Sequence, residues 1–149
     1  MSARRSLPQR PGFSLIEIMV ALTLLVVVLV VAAVVATTAT GTCRRNPDVL
    51  HRIGPRQIAE MAELQAALLA RAARWLARGG TLVYATCSLE PEENEKQIEA
   101  FLASNPDWKL EPPPSGAVPH ETMDSGYLRV LPQLHGSDGA FAARLRRSQ

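Results

Sequence analysis

The sequence predicts an α/β fold, the carboxyl-terminal end of a sheet flanked by helices, preceded by one long apolar helix. Three observations predict it. An apolar run of β-formers, Thr81-Leu-Val-Tyr-Ala85, stands between two stretches of helical periodicity. Two further short β-type runs, Gly126–Leu131 and Ala140–Leu145, follow the second of them, and alternation of this kind marks an α/β sheet. Near the amino terminus, residues 18–36 carry no charge and match the ~20 residues that span a bilayer as a helix.

Pro55 opens a helix running through Ala77, with Ile58, Met61, Leu64, Leu68, Ala72, Trp75 and Leu76 on one apolar face. Gly79-Gly80 end it. The strand Thr81–Ala85 is short and reads as buried, and Cys87 follows it as an exposed thiol. A group at the carboxyl end of a strand sits where such sheets place their reactive residues. Glu90, Pro91, Glu92, Glu93 and Glu95 then mark a helix N-terminus, which favours negative charge and tolerates proline. That helix covers Glu92–Ser104, with Ile98, Phe101 and Leu102 inward, and Asn105-Pro-Asp closes it. Trp108–Glu111 begins another strand, and Pro112-Pro-Pro-Ser-Gly116 is a turn-rich break.

Composition sets bounds. The chain has 149 residues, a formal net charge of +2 and two cysteines, Cys43 and Cys87. A charge this small does not by itself imply nucleic-acid binding. Two cysteines make neither a metal site nor a disulfide framework: they stay thiols in a reducing compartment and could pair in an oxidising one. His51, His120 and His135 have no metal-ligand or triad spacing, so no metal is expected. Basic residues gather at Arg44, Arg45, His51, Arg52 and Arg56, and again at Arg144, Arg146 and Arg147. Each cluster reads first as a solvated face.

Three segments occur in order: Ala39-Thr-Gly-Thr-Cys-Arg-Arg-Asn-Pro-Asp48, Gly80-Thr-Leu-Val-Tyr-Ala-Thr-Cys-Ser88 with Glu92-Glu-Asn-Glu95, and Arg129-Val-Leu-Pro132 with Gly136-Ser-Asp-Gly-Ala-Phe141. Together they resemble the carboxyl-terminal part of the Sun/Nop family of RNA cytosine-C5 methyltransferases. The resemblance implies a Rossmann-like methyltransferase fold, S-adenosylmethionine as cofactor and RNA as partner. It makes Cys87, in Thr86-Cys87-Ser88, the nucleophile, and it turns Arg44 and Arg45 toward RNA phosphate. The family's second, product-releasing cysteine belongs to an Asp-Ala-Pro-Cys motif. That motif aligns with Val34-Val-Ala-Thr37, so Thr37 replaces the cysteine and Val34 the aspartate. No glycine-rich cofactor turn is present either. A chain of this kind is expected to be inactive alone and to bind no S-adenosylmethionine.

Gly12-Phe-Ser-Leu-Ile-Glu17 resembles the leader junction of type IV pilins and type II secretion pseudopilins. That resemblance implies cleavage after Gly12, a mature amino terminus at Phe13, and Glu17 as the glutamate at the fifth mature position. A lone carboxylate in an apolar helix is costly and usually meets a partner. The expected organisation is a leader-like segment over 1–12, a membrane-type helix over 13–37, and a partial methyltransferase domain over 38–149. Membrane contact is assigned to residues 13–36. Three readings stay open: a methyltransferase fragment, a pseudopilin-like membrane subunit, and a gene hybrid with neither activity. The first implies a cytoplasmic location and the second a single-pass membrane one.

Overall fold

The computed structural model of the chain describes residues 37–149. Gly12, Phe13, Glu17 and the helix expected over 13–36 lie outside the described residues. Among those described, no helix is long and apolar enough to cross a membrane.

After a 3-10 turn at Thr40–Thr42 come α1 (Val49–Arg52) and the long α2 (Pro55–Arg74). Proline occupies the first turn of α2, where its missing N–H costs nothing, and the Gly54 N–H donates to Gln57 Oε1 at 3.1 Å. The helix stops at Arg74, well before the two glycines. Gly79-Gly80 therefore do not cap it. They swing the chain into β1 (Thr81–Thr86), and the Gly79 N–H donates to the Arg147 carbonyl at 3.1 Å.

A 3-10 turn, Pro91–Glu93, leads into α3 (Glu95–Ser104), and β2 (Trp108–Leu110) follows. The expected single helix from Glu92 is thus split at Asn94, whose backbone (φ −116°, ψ −105°) is not helical. The break lets Glu93 point into the protein. A 3-10 turn at His120–Thr122, then β3 (Met123–Asp124), β4 (Tyr127–Val130), the single turn α4 (Pro132–His135) and β5 (Ala140–Arg147) complete the order.

The sheet runs β1-β5-β4-β3, with β2 also pairing to β5, and each of these pairs is antiparallel. In register, Thr81 faces Arg146 and Thr86 faces Phe141 across β1–β5; Leu128 faces Ala142 across β4–β5. Alternate residues of β5 point to opposite faces. Phe141, Ala143 and Leu145 are buried beneath Leu69 and Ala73 of α2 and Ile98 and Phe101 of α3, and Trp108 closes this core edge-on to Phe101.

Three expectations are corrected. The buried stripe of α2 is Gln65, Leu69 and Ala73, whereas Leu64, Leu68 and Trp75 are exposed, Trp75 by 76%. Adjacent helix positions lie about 100° apart, so Leu68-Leu69 allowed two rotations of the helix. The inward bond of Gln65 to Glu93 fits the one observed. Arg71 lies over the outer ring of Trp75, 5.7 Å from its centroid.

β1 is buried on one face only. Leu82 and Tyr84 join the core, while Val83 is 62% exposed.

The carboxyl-terminal arginines are not a free basic face. Arg144 pairs with Glu111 at 2.6 Å, Arg147 with Asp107 at 2.8 Å, and Arg146 donates to Thr81 Oγ1 at 2.8 Å. These bonds tie the central strand β5 to the segments on either side of it.

Candidate active site

Cys87 is the first residue beyond the carboxyl end of β1 and is half-buried rather than exposed. Its carbonyl accepts a hydrogen bond from the Gly41 N–H at 2.8 Å, and the Gly41 carbonyl accepts one from the Gly139 N–H at 2.7 Å. Three chain segments therefore meet at the rim: the loop from Thr37, the end of β1, and the entry to β5. Only glycine permits the approach. A Cβ at Gly41 would lie 2.6 Å from the carbonyl oxygens of both Cys87 and Gly139.

Thr37 stands where the resemblance places a second cysteine, and its side chain acts on the Cys87 thiol. Burial pushes the thiol above its ordinary pKa. The backbone and Thr37 hydrogen bonds pull it down, and the charges of Glu93 and Asp138 push it further up. Both charges that act on it among the described residues are acidic. A thiol is a nucleophile only once ionised, so this site keeps Cys87 protonated near neutrality. Alkylation of Cys87 by iodoacetamide is accordingly expected to accelerate with pH, with a midpoint above the ~8.5 of a free thiol. Peptide mass mapping would follow it, and a midpoint at or below about 8 would contradict this electrostatic account.

Beneath the thiol lies a buried polar cluster. Glu93 is fully buried, and Thr38, Thr40, Ser88 and Asn94 are buried around it. The Thr38 N–H donates to Glu93 Oε2 at 3.0 Å, Gln65 Nε2 to the same oxygen at 2.7 Å, and Ser88 Oγ to Oε1 at 2.8 Å. The Thr38 hydroxyl also donates to Oε1. Asn94 receives the Thr86 hydroxyl at 2.5 Å and donates to the Ser88 carbonyl at 2.9 Å. Tyr84 donates to the Glu93 carbonyl at 2.6 Å; burial and the nearby Glu93 charge raise its hydroxyl's pKa.

Reading the four glutamates together as a helix N-terminus missed the inward turn of Glu93. The one hint was the number of hydroxyls, at Thr38, Thr40 and Ser88, on two loops with no evident acceptor.

Arg44 and Arg45 are exposed on the loop after Gly41. The Arg45 Nε donates to Asp138 at 2.7 Å, whereas Arg44 forms no ion pair among the described residues. Cys43 and Cys87 are both free thiols. His51 and His120 are exposed, and His135 Nδ1 accepts the Leu131 N–H at 2.9 Å. Among the described residues, no group of three or more His, Cys, Asp or Glu could hold a metal ion.

An antiparallel sheet under two helices, with a half-buried thiol at the carboxyl rim of β1 beside a buried carboxylate, makes this an α/β segment. The chain belongs to the 16S rRNA methyltransferase RsmB/F family, whose model matches residues 28–146. The chain is 46% identical over 112 residues to a probable ribosomal RNA small subunit methyltransferase B of a Synechocystis strain, covering 72% of this chain and 25% of that protein. It is 47% identical over 110 residues to ribosomal RNA small subunit methyltransferase B of Sodalis glossinidius, covering 72% and 23%. Among solved structures, NSun6 from Pyrococcus horikoshii with SFG superposes with a TM-score of 0.55 at 33% identity, over 65% of this chain and 25% of that one. The chain thus spans about a quarter of the length of these curated relatives.

Proposed function

We propose that residues 38–149 are the nucleophile-bearing segment of an S-adenosylmethionine-dependent rRNA cytosine-C5 methyltransferase, with Cys87 as the nucleophile. The observation that carries the reading is the placement of Cys87 at the strand's carboxyl rim, in a chain of the RsmB/F family. Cytosine C5 is a poor nucleophile. When the Cys87 thiolate bonds to C6, the C5–C6 electron pair moves toward C5, which can then attack an electrophilic methyl group as its bond to the donor breaks; loss of the C5 proton restores the C5–C6 double bond and expels Cys87. The thiol proton must leave first, and no base stands beside it among the described residues. Arg44 and Arg45, on the loop bonded to Cys87 through Gly41, are the side chains proposed to meet RNA phosphate. Arg44 forms no ion pair among the described residues.

S-adenosylmethionine is the donor implied by the family, and NSun6 from Pyrococcus horikoshii was solved with SFG. The described residues do not fit that donor. The buried polar groups at the rim bond to one another, and no glycine-rich strand-to-helix turn adjoins them. Calorimetry of S-adenosylmethionine into the chain is therefore expected to show no binding heat; a micromolar dissociation constant would refute that.

The nucleophile is tested by grafting residues 38–149 onto the amino-terminal three quarters of the Synechocystis relative. That chimera is expected to methylate cytosine C5 in rRNA and to form a covalent adduct with 5-azacytidine RNA. Both are lost in Cys87→Ala. A methylating Cys87→Ala chimera would overturn the assignment.

For residues 1–36 we propose the reading their sequence supports, a prepilin-like leader and a membrane-type helix. Exposure to prepilin peptidase should then yield a chain whose intact mass begins at Phe13. An unchanged mass would remove that reading.

A further inference from the structure

We propose that Glu93 is the positioning residue of this site, a carboxylate clamp that holds position 37 opposite Cys87. The inference rests on the reading of Cys87 as the nucleophile for its meaning in catalysis, but its geometry stands by itself.

Four donors converge on this one side chain from three separate parts of the chain. Thr38 supplies its N–H and its hydroxyl from the loop before the 3-10 turn, Ser88 its hydroxyl from the loop after β1, and Gln65 its amide from α2. Both carboxylate oxygens are met, which suits an acceptor-only group.

The proton count closes. Thr38 and Ser88 each spend their single hydroxyl hydrogen on Glu93, so the 3.2 Å approach between those hydroxyls is a contact held by the carboxylate. Thr40 then has its own hydrogen to give to Ser88 Oγ at 3.3 Å, while it accepts the Leu89 N–H at 2.8 Å.

The sequence neighbours of the clamped residues explain what the clamp does. Thr38 follows Thr37, and Ser88 follows Cys87. Thr37 and Cys87 are each one peptide unit from a residue fastened to Glu93. Fixing Thr38 and Ser88 on one carboxylate leaves Thr37 and Cys87 little freedom to part. An aspartate, shorter by a methylene, keeps the charge but cannot reach all four donors. A glutamine keeps the reach. Its oxygen can serve the Thr38 N–H and Gln65, and the two hydroxyls can rotate to accept from its amide.

The test uses the full-length chain with Cys43→Ser and Thr37→Cys, so that the two thiols are at positions 37 and 87. Their disulfide is equilibrated in glutathione buffer, and its yield reads the effective concentration of one thiol at the other. Glu93→Asp is expected to lower that concentration about tenfold or more, and Glu93→Gln less than about threefold. Ser88→Ala, which removes one donor with little loss of volume, should fall between them and decides the matter if Glu93→Asp does not fold. Leu145→Val, which weakens the core at the far end of β5 opposite Leu82, should leave the concentration unchanged.

An effective concentration unaltered in Glu93→Asp, or in Ser88→Ala where the former is unfolded, would overturn the proposal. So would an equal fall in Leu145→Val, since the effect would then be general loosening. A chimera that methylates without Cys87 would remove the catalytic reading and leave this measurement standing.

Discussion

Phe141→Ala is expected to destabilise the domain by about 3–5 kcal/mol, the usual cost of emptying a buried aromatic site. Phe141 is 1% exposed and sits where three elements meet. It faces Thr86 across β1–β5 and Arg129 across β4–β5, with Tyr84 edge-on at 6.4 Å and Tyr127 tilted at 5.2 Å between ring centroids. Tyr84 cannot slide in to fill the space, because its hydroxyl is held by Gln65 and the Glu93 carbonyl. Set against roughly 5–15 kcal/mol for a whole domain, the loss moves the urea midpoint sharply or abolishes cooperative unfolding. Val83→Ala, on the open face of the neighbouring strand, should stay within about 0.5 kcal/mol. Equal losses at the two positions would mean that the core is not where the structure puts it.

Gly41→Ala is the second large effect, and it couples stability to chemistry. The added methyl would meet two backbone carbonyl oxygens at 2.6 Å, and neither can rotate aside as a side chain could. Overpacking costs about 1–3 kcal/mol, and the two hydrogen bonds through Gly41 contribute about 1 kcal/mol each. Relief requires the loop that carries Gly41 to lift from Cys87. In the chimera, Gly41→Ala is therefore expected to lower methylation by about a hundredfold, the scale set by misplacing a reacting group by about 1 Å. It should do so at temperatures where circular dichroism still reports a folded protein. A stable variant with full activity would show that the glycine contact is incidental.

The elements with strong periodicity were legible in the sequence, and the packing among them was not. The helix from Pro55, the strand before Cys87 and the helix over Ile98 and Phe101 all form, the first ending at Arg74 and the last beginning at Glu95. What failed was rotation and partnership. Leu68 and Leu69 are equally apolar, and a polar bond from Gln65, invisible to a hydrophobic pattern, accompanies the inward turn of Leu69. Trp75 read as core because its helical spacing set it on the apolar face, yet its place is under Arg71 at the surface. Met123–Asp124 is too short to show alternation, so that strand went unseen.

At the site, Cys87 was legible because strand residues run up to it and proline and acids run away from it. Its role came from the family resemblance, since a thiol's chemistry does not follow from its place in a strand. Glu93 could not be told from Glu90, Glu92 and Glu95, because only folding decides which of four acids the hydroxyls of a distant loop will find. Likewise, Arg45 and Asp138 lie 93 positions apart, and no local pattern pairs them.

The place of β5 has a bearing on how the protein comes into being. It follows in the chain every strand it pairs with, and β1, β2 and β4 have no pairing with one another. On the ribosome, Thr81–Thr86, Trp108–Leu110 and Tyr127–Val130 emerge one after another without the strand that joins them, and the sheet can close only when Ala140–Arg147 arrives between them. Until then their edges are exposed and prone to stick to other chains. A message broken before codon 140 would yield a product for chaperones and proteases, because the strand that organises the others is the one translated after them.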